Sequence, residues 1–171
     1  ILRYGAGPVV GCRATASSAG SESSVTQTGT GTAALSVTTS GARDAYGIRV
    51  KITRAGANLA AATAAMQLSI DGGLTYGEET AVPVGGVFTV GNTGVGVTFA
   101  DGTFVVDDVY AITCTAPVFN SANASAAVTA LLESTIDHEG IFVVGPVTGT
   151  IYSALATLVG DAEADGVYRW L

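Results

Sequence analysis

The stretch from Tyr46 to Tyr76 alternates between apolar and polar side chains, and this pattern limits the possible folds more than any other feature. A period of two residues is typical of a β-strand that buries one face and leaves the other in water. The first half of the stretch contains one such strand. Its predicted buried residues are Ile48, Val50 and Ile52, and its predicted outer residues are Arg49, Lys51 and Thr53.

The second half of the stretch repeats the pattern and ends in a turn. Its predicted buried residues are Met66, Leu68 and Ile70, and its predicted outer residues are Gln67 and Ser69. Asp71-Gly72-Gly73 then supplies residues that readily adopt the positive φ angles of a tight reversal. Two amphipathic strands of this kind need a second sheet to cover their apolar face.

Short strand patterns recur around this stretch at spacings near ten residues, with Gly, Asn and Asp in the turns between them. Further strands are predicted at 9–13, 25–31, 33–39, 87–90, 95–99, 104–106 and 109–115. Pro117 ends the series. Seven to nine short strands favour a β-sandwich of the immunoglobulin-like kind. A small closed barrel is the alternative architecture.

The pattern becomes helical after Pro117. Residues 121–133 contain strong helix formers, and Ser121 is a candidate N-cap. A second helix is predicted over 148–164, because apolar residues recur there at helical spacing and Gly166 follows as a stop. The apolar residues that define the spacing are Ile151, Leu155 and Leu158.

Strands are predicted on both sides of the second helix. Ile141–Val144 is a continuous apolar run, as expected for a strand buried on both faces. Val167–Leu171 begins another strand, which completes a βαβ unit. Because a parallel pair alone cannot bury both faces, we expect the sequence to be a piece of a longer polypeptide. The predicted organisation is a leading segment over 1–24, a β-sandwich over 25–117 and an incomplete α/β part over 118–171.

The composition argues against several classes of function. Charged residues make up 12% of the 171 residues, against roughly 25% in an ordinary soluble domain, and the net charge is −7. No basic cluster is present, so no nucleic-acid partner is predicted. No apolar run approaches the ~18–20 residues of a spanning helix, so no membrane insertion is predicted. The low charge favours a surface covered by neighbouring proteins, and the alternative is a Gly/Ala/Thr-rich β protein with a weakly polar surface.

The closest approach to a metal site is Asp161-Ala-Glu163-Ala-Asp165-Gly166, which has the D-x-x-x-D-G outline of an EF-hand loop. Glu163 is a poor third ligand, and the twelfth position of the loop lies past Leu171. We therefore interpret the segment as the acidic, solvated end of a helix and predict no metal.

No catalytic or cofactor-binding residue is predicted. His138, between Asp137 and Glu139, is the single His and is interpreted as part of a polar loop. Gly29–Ala34 faintly resembles a dinucleotide loop, but it leads into a strand rather than a helix. Asn123-Ala-Ser125 matches a glycosylation acceptor, but it lies in a predicted helix.

The remaining polar candidates are interpreted as structural. The acidic pairs Glu78-Glu79 and Asp107-Asp108 are predicted to be solvated charges in turns. Cys12 and Cys114 are predicted to be separate buried thiols, since a disulfide would require the fold to bring them together.

Several segments keep a recognisable order along the chain. They are Gly7-Pro8, DAYGIRVKIT at 44–53, SIDGGLTY at 69–76, GVTFADGTFVVDDVYAITCTAP at 96–117, and IFVVGPV at 141–147 before the second helix. In this order they resemble the sheath protein of contractile bacteriophage tails and related injection machines. The resemblance covers most of the chain and consists of turn and strand patterns.

The resemblance implies a structural protein of the virion rather than an enzyme. It implies an immunoglobulin-like insertion followed by the beginning of an α/β sheath core, with no cofactor. Identical subunits would polymerise helically in the host cytoplasm around an inner tail tube. A baseplate signal would then trigger contraction, which drives the tube through a cell envelope. Chain-end arms would link neighbours by strand addition.

Two other functions remain open at the level of sequence. The first is an immunoglobulin-like module that binds a carbohydrate or a host surface, or decorates the phage particle, for which Tyr76 and Phe88 are the candidate contact aromatics. The second is an enzyme.

Overall fold

The computed structural model describes residues 11–135 and 140–166. The chain divides into two compact units. One is Ala19–Pro117, called here the sheet unit. The other combines Ile1–Ser18 with Val118–Leu171 and is called here the helical unit.

The described residues of the sheet unit form nine β-strands. Their bounds are β1 Ser21–Glu22, β2 Thr26–Thr28, β3 Leu35–Thr39, β4 Gly47–Arg54, β5 Ala65–Ser69, β6 Thr80–Ala81, β7 Val87–Thr89, β8 Gly96–Phe99 and β9 Val109–Thr115. Six of them form one sheet in the order β1-β9-β4-β5-β6, with β2 also pairing with β9. The other three form a second sheet in the order β3-β8-β7. All of these strand pairs are antiparallel. A mainly β fold is therefore confirmed.

The predicted facing of β4 is confirmed. Ile48, Val50 and Ile52 are fully buried, whereas the outer side chains of the strand are only half-buried. Val50 pairs with Leu68 and Ile52 pairs with Met66, so β5 presents these residues to the same core. The alternation could be read from the sequence because a strand side chain has only two directions available.

Two predictions at the end of β5 are wrong: Ile70, predicted to be buried, is 48% exposed, and Ser69, predicted to face the solvent, is 3% exposed. The strand ends one residue earlier, because the Ser69 hydroxyl donates to the Asp71 carboxylate at 2.7 Å and accepts from the Gly73 N–H at 2.9 Å. The turn itself was predicted correctly, since Gly72 and Gly73 have φ angles of 82° and 95°.

Both sheets contribute to one hydrophobic core. Phe99, from the three-stranded sheet, packs edge-on against Phe104 and against Tyr110 of β9, each at a ring-centroid distance of 5.1 Å. Such edge-to-face geometry is favourable beyond the area buried. The core thus ties the two sheets to each other through aromatic side chains.

Three strand predictions need correction. Residues 104–106 form no strand, and Phe104 makes only an isolated bridge to Gly56, because a turn with Asp107 at φ 69° follows at once. The strand predicted over 9–13 is not formed by residues 11–13, which have no regular secondary structure, and residues 9 and 10 lie outside the described part. The strand at 25–31 is limited to β2, because the backbone beyond Thr28 turns towards Asp108.

The described part of the helical unit contains two helices, α1 Ser121–Leu132 and α2 Gly149–Ala164. The N-cap of α1 is Asn120 rather than Ser121, because the Asn120 side chain accepts the N–H of Asn123 at 2.9 Å. Thr148 caps α2, and Gly166 has the positive φ of 86° expected of a helix stop. The second core lies between these helices and is formed by Ala124, Val128, Ile141, Ile151, Leu155 and Val159.

The prediction that Ile141–Val144 is a strand buried on both faces is wrong. Ile141 packs into the helical core, but Phe142 is 84% exposed and Val144 is 82% exposed. No partner strand lies beside residues 141–144 in the described part, so only the side towards the helices is covered. The second strand of the predicted βαβ unit, Val167–Leu171, lies outside the described residues.

Candidate functional site

The acidic end of α2 does not have the geometry of a calcium loop. The helix continues to Ala164 and Asp165 is its C-cap, so Asp161 and Glu163 are helical. Residues two apart on a helix point to nearly opposite sides of its axis, because each residue turns by about 100°, so the side chains of Asp161 and Glu163 cannot converge on one ion. Across residues 11–135 and 140–166, no group of three or more His, Cys, Asp or Glu side chains is placed to bind a metal.

The other sequence candidates are not brought together either. Asp137, His138 and Glu139 lie outside the described residues. Gly29–Ala34 leads into β3, so it lacks the helix N-terminus of a phosphate site. Asn123 and Ser125 lie within α1.

Asp108 was interpreted as a solvated turn charge, and this is wrong. Its side chain is 1% exposed. The carboxylate accepts the backbone N–H groups of Thr30 at 2.9 Å, Gly31 at 3.0 Å and Val105 at 3.2 Å. A Cβ added to Gly29 or Gly31 would collide with this carboxylate. The glycine pair that resembled a dinucleotide loop therefore encloses an internal carboxylate.

Asp107, the neighbouring carboxylate, behaves as predicted for a solvated charge. It forms an ion pair with Lys51 at 2.8 Å, and its side chain is 73% exposed. The hydrogen bond to Asp107, together with its charge, raises the pKa of Lys51. An exposed pair of this kind contributes little to stability, typically about 0–1 kcal/mol.

Tyr110 lies fully buried beside Asp108 and has a structural role. Its hydroxyl donates to the Ala33 carbonyl at 2.6 Å and lies 3.3 Å from the Gln27 amide nitrogen, which donates to it. Burial, and then the charge of Asp108, raises the pKa of Tyr110 to about 12. The phenol therefore stays neutral at physiological pH and anchors the β2–β3 connection to β9.

Both cysteines are free thiols, as predicted, but only one of them is buried. Burial, and then the nearby Glu22 carboxylate, raises the pKa of Cys114, so its thiol is a weak nucleophile. Cys12 is exposed rather than buried, and its thiol donates to the Ala127 carbonyl at 3.4 Å.

The two candidate contact aromatics, Phe88 and Tyr76, are both partly buried against other residues of the sheet unit. Phe88 packs against Phe99 at a centroid distance of 5.8 Å and belongs to the border of the core. Tyr76 is half-buried, and its hydroxyl lies beside Gly73 in the turn after β5. Neither ring forms an open platform of the kind on which a sugar could stack.

The turn after β5 exposes Leu74 and is held by internal hydrogen bonds. Leu74 is 86% exposed. In the same turn, the Asp71 carboxylate accepts hydrogen bonds from the Thr75 backbone at 3.0 Å, from the Thr75 hydroxyl and from Ser69. These hydrogen bonds, those from Thr75 above all, lower the pKa of Asp71.

A second group of exposed apolar side chains belongs to the helical unit. It lies on and just after the segment that was predicted to be a buried strand. Its members are Phe142, Val144, Val147 and Tyr152. We call these four residues the apolar strip. Scattered single apolar residues are normal on a surface, but four strongly exposed ones within one short stretch of the chain make this stretch a candidate interaction site.

Among the residues that the structure describes, neither helix is long and apolar enough to cross a membrane. No protein-family model matches the chain, and no curated protein or solved structure is significantly similar to it.

Proposed function

We propose that the chain is a structural subunit of a contractile phage tail sheath. Copies polymerise helically around the tail tube, contact the baseplate, and contract to drive the tube through a cell envelope. In this proposal the sheet unit is an immunoglobulin-like insertion, and the helical unit is the beginning of the α/β sheath core. The protein is then a component of the virion that assembles in the host cytoplasm.

The observation that carries the proposal is the apolar strip. Ile141 is covered by the helices, whereas Phe142 and Val144 are more than four-fifths exposed. Fully burying an apolar side chain of this size contributes about 1.5–3 kcal/mol. Covering both residues with a neighbouring surface therefore provides a substantial driving force for assembly.

The sequence supports the same proposal in two ways. The order of segments from Gly7-Pro8 to IFVVGPV resembles that of sheath proteins. A chain with 12% charged residues also has few desolvation penalties when copies pack side by side. The function proposed here is mechanical and needs no catalytic residue.

Self-assembly of the purified full chain tests the proposal. We expect rings or tubes in negative-stain electron microscopy, and a concentration-dependent sedimentation coefficient. Phe142→Asp should prevent assembly without lowering the melting temperature, since the side chain is already exposed. Leu74→Asp is the matched control, because it puts the same charge at an equally exposed apolar position of the sheet unit. A chain that stays monomeric at high concentration would contradict the proposal.

The second candidate is a surface-binding or decoration module, and the Leu74 turn favours it. A turn held by internal hydrogen bonds loses little entropy when it docks, and loops on a rigid sheet scaffold commonly carry binding functions. In this case Leu74→Asp, rather than Phe142→Asp, should abolish binding to cells or to phage particles.

A further inference from the structure

The helix α2 has a buried side and two exposed flanks. Its buried side is marked by Ile151, Leu155 and Val159, which follow one another at about one helical turn. Because each residue turns by about 100°, the residues that come directly after these three lie together on one flank. Tyr152 and Ala156 are the first two of them, and both are exposed. Tyr152 belongs to the apolar strip, so this flank, called here the Tyr152 flank, continues the strip along the helix.

Glu163 lies on the Tyr152 flank at the far end of the helix. It follows Tyr152 by about three complete turns, or roughly 16 Å along the axis, and therefore points to the same side. Asp161 is exposed, as Glu163 is, but it points to nearly the opposite side of the axis. Asp161 shares its flank with two exposed polar residues, Ser153 and Thr157. The apolar flank of α2 thus ends in one carboxylate, and the polar flank carries another.

We propose that Glu163 is an electrostatic brake on the self-assembly of this chain, and that ionic strength releases it. The inference rests on the proposed function, in which a second copy covers the apolar strip. A surface that covers Tyr152 and extends along its flank approaches the Glu163 carboxylate, which has no described Lys or Arg within ion-pair distance. The approaching copy has seven Lys and Arg against fourteen Asp and Glu, so the charge that it brings opposes the contact.

Ionic strength decides how far this repulsion reaches. The Debye length is about 30 Å at about 0.01 M salt, which exceeds the roughly 16 Å that separates Tyr152 from Glu163 along the helix. At about 1 M salt it is about 3 Å, so the carboxylate is screened from all but its immediate neighbours. Assembly through the apolar strip should therefore be weak at low salt and stronger at high salt. A contact held together by ion pairs would show the opposite dependence.

Glu163→Gln and Asp161→Asn in the full chain test the brake. Each removes one negative charge near the C-terminal end of α2, where the helix dipole disfavours carboxylates, so the two variants differ mainly in the flank that they change. In sedimentation at about 0.01 M salt, Glu163→Gln should lower the concentration needed for assembly about threefold or more, and Asp161→Asn by less than about 1.5-fold. At about 1 M salt, both variants and the wild type should assemble at the same concentration.

An added charge tests the same flank independently. Ala156→Glu, on the Tyr152 flank, should raise the concentration needed for assembly at low salt about threefold or more, because it puts a second carboxylate beside the covered surface. Thr157→Glu, on the polar flank, is the control and should change that concentration by less than about 1.5-fold. Both positions are exposed, so melting temperatures close to that of the wild type should show that the variants fold.

Equal effects of Glu163→Gln and Asp161→Asn at low salt would overturn the inference, as would a difference between them that persists at high salt. Either result would leave the proposed function in place if the wild type forms rings or tubes at high salt. A wild type that assembles at no salt concentration would overturn both.

Discussion

Asp108 is a single residue whose role depends entirely on its neighbours in space. Three backbone N–H groups from two separate loops converge on its buried carboxylate. A buried charge is tolerated only where such hydrogen bonds replace those of water. The side chain therefore fastens the Gly29–Gly31 segment to the turn before β9.

Asp108→Asn should destabilise the sheet unit by about 1–3 kcal/mol, because one oxygen acceptor becomes an NH₂ group facing N–H donors. Asp107→Asn is the control, since it removes only an exposed ion pair and should cost less than about 1 kcal/mol. Urea unfolding of both variants measures the difference. Equal free energies of unfolding would show that the buried carboxylate contributes nothing specific.

Asp71 should make stability depend on pH in the acid range. Its pKa in the folded state lies below the ordinary value of 3.8, so the folded state binds the proton less readily than the unfolded state. The stabilisation is therefore complete above that ordinary pKa and declines as the pH falls below it. Asp71→Asn should be less stable than wild type at pH 7, with a constant gap down to about pH 5 that narrows below about pH 4. A gap independent of pH would contradict the assignment.

At the scale of the element, β4 shows how much a sequence can predict. The order of apolar and polar residues along β4 is enough to predict which side chains are buried, because the period of a strand is fixed by backbone geometry. The same reasoning failed for Ile70, since hydrogen bonds of Ser69 and Asp71 end β5 before the pattern does. It failed again for Ile141–Val144, where an apolar run does not reveal whether a partner strand lies beside it.

The candidate sites were harder to predict than the strands. The Asp107-Asp108 pair reads as two equivalent charges in the sequence, although one is exposed and the other is buried. The difference depends on Thr30 and Gly31, about 77 residues away in the chain.

Val50→Asp and Arg49→Asp test the facing of β4 directly. Val50→Asp should cost about 3 kcal/mol or more, because it places an unpaired charge in the core. Arg49→Asp, on the outer face, should cost less than about 1 kcal/mol. The free energies of unfolding in urea provide the comparison, and similar losses in both variants would reverse the facing.

The acidic end of α2 should be indifferent to calcium. Asp161 and Glu163 lie on one helix two residues apart and point to nearly opposite sides, so the three acidic residues cannot surround one ion as the ligands of a calcium loop do. Adding calcium or a chelator should leave the melting temperature unchanged within about one degree, since a ligand stabilises only a state that it binds. A rise of several degrees that disappears in Asp161→Ala would contradict this interpretation.

At the scale of the whole molecule, the two cores are separate. One lies within the sheet unit and the other within the helical unit. Residues 19–117 expressed alone should therefore fold cooperatively and stay monomeric in sedimentation, because the apolar strip is missing. The fragment must include β1, since Glu22 accepts the N–H groups of Gly41 and Ala42 at 2.9 and 2.7 Å. An unfolded or self-associating fragment would show that this unit depends on the rest of the chain.

The central claim is that many copies of this chain form a sheath around a tube. Electron microscopy of native phage particles, with a gold-labelled antibody against the sheet unit, tests it most directly. The account predicts regularly spaced label along the whole length of contractile tails, with the label spacing shortening after contraction. Label confined to the capsid, or to isolated points on the particle, would contradict the account and favour the surface-binding module.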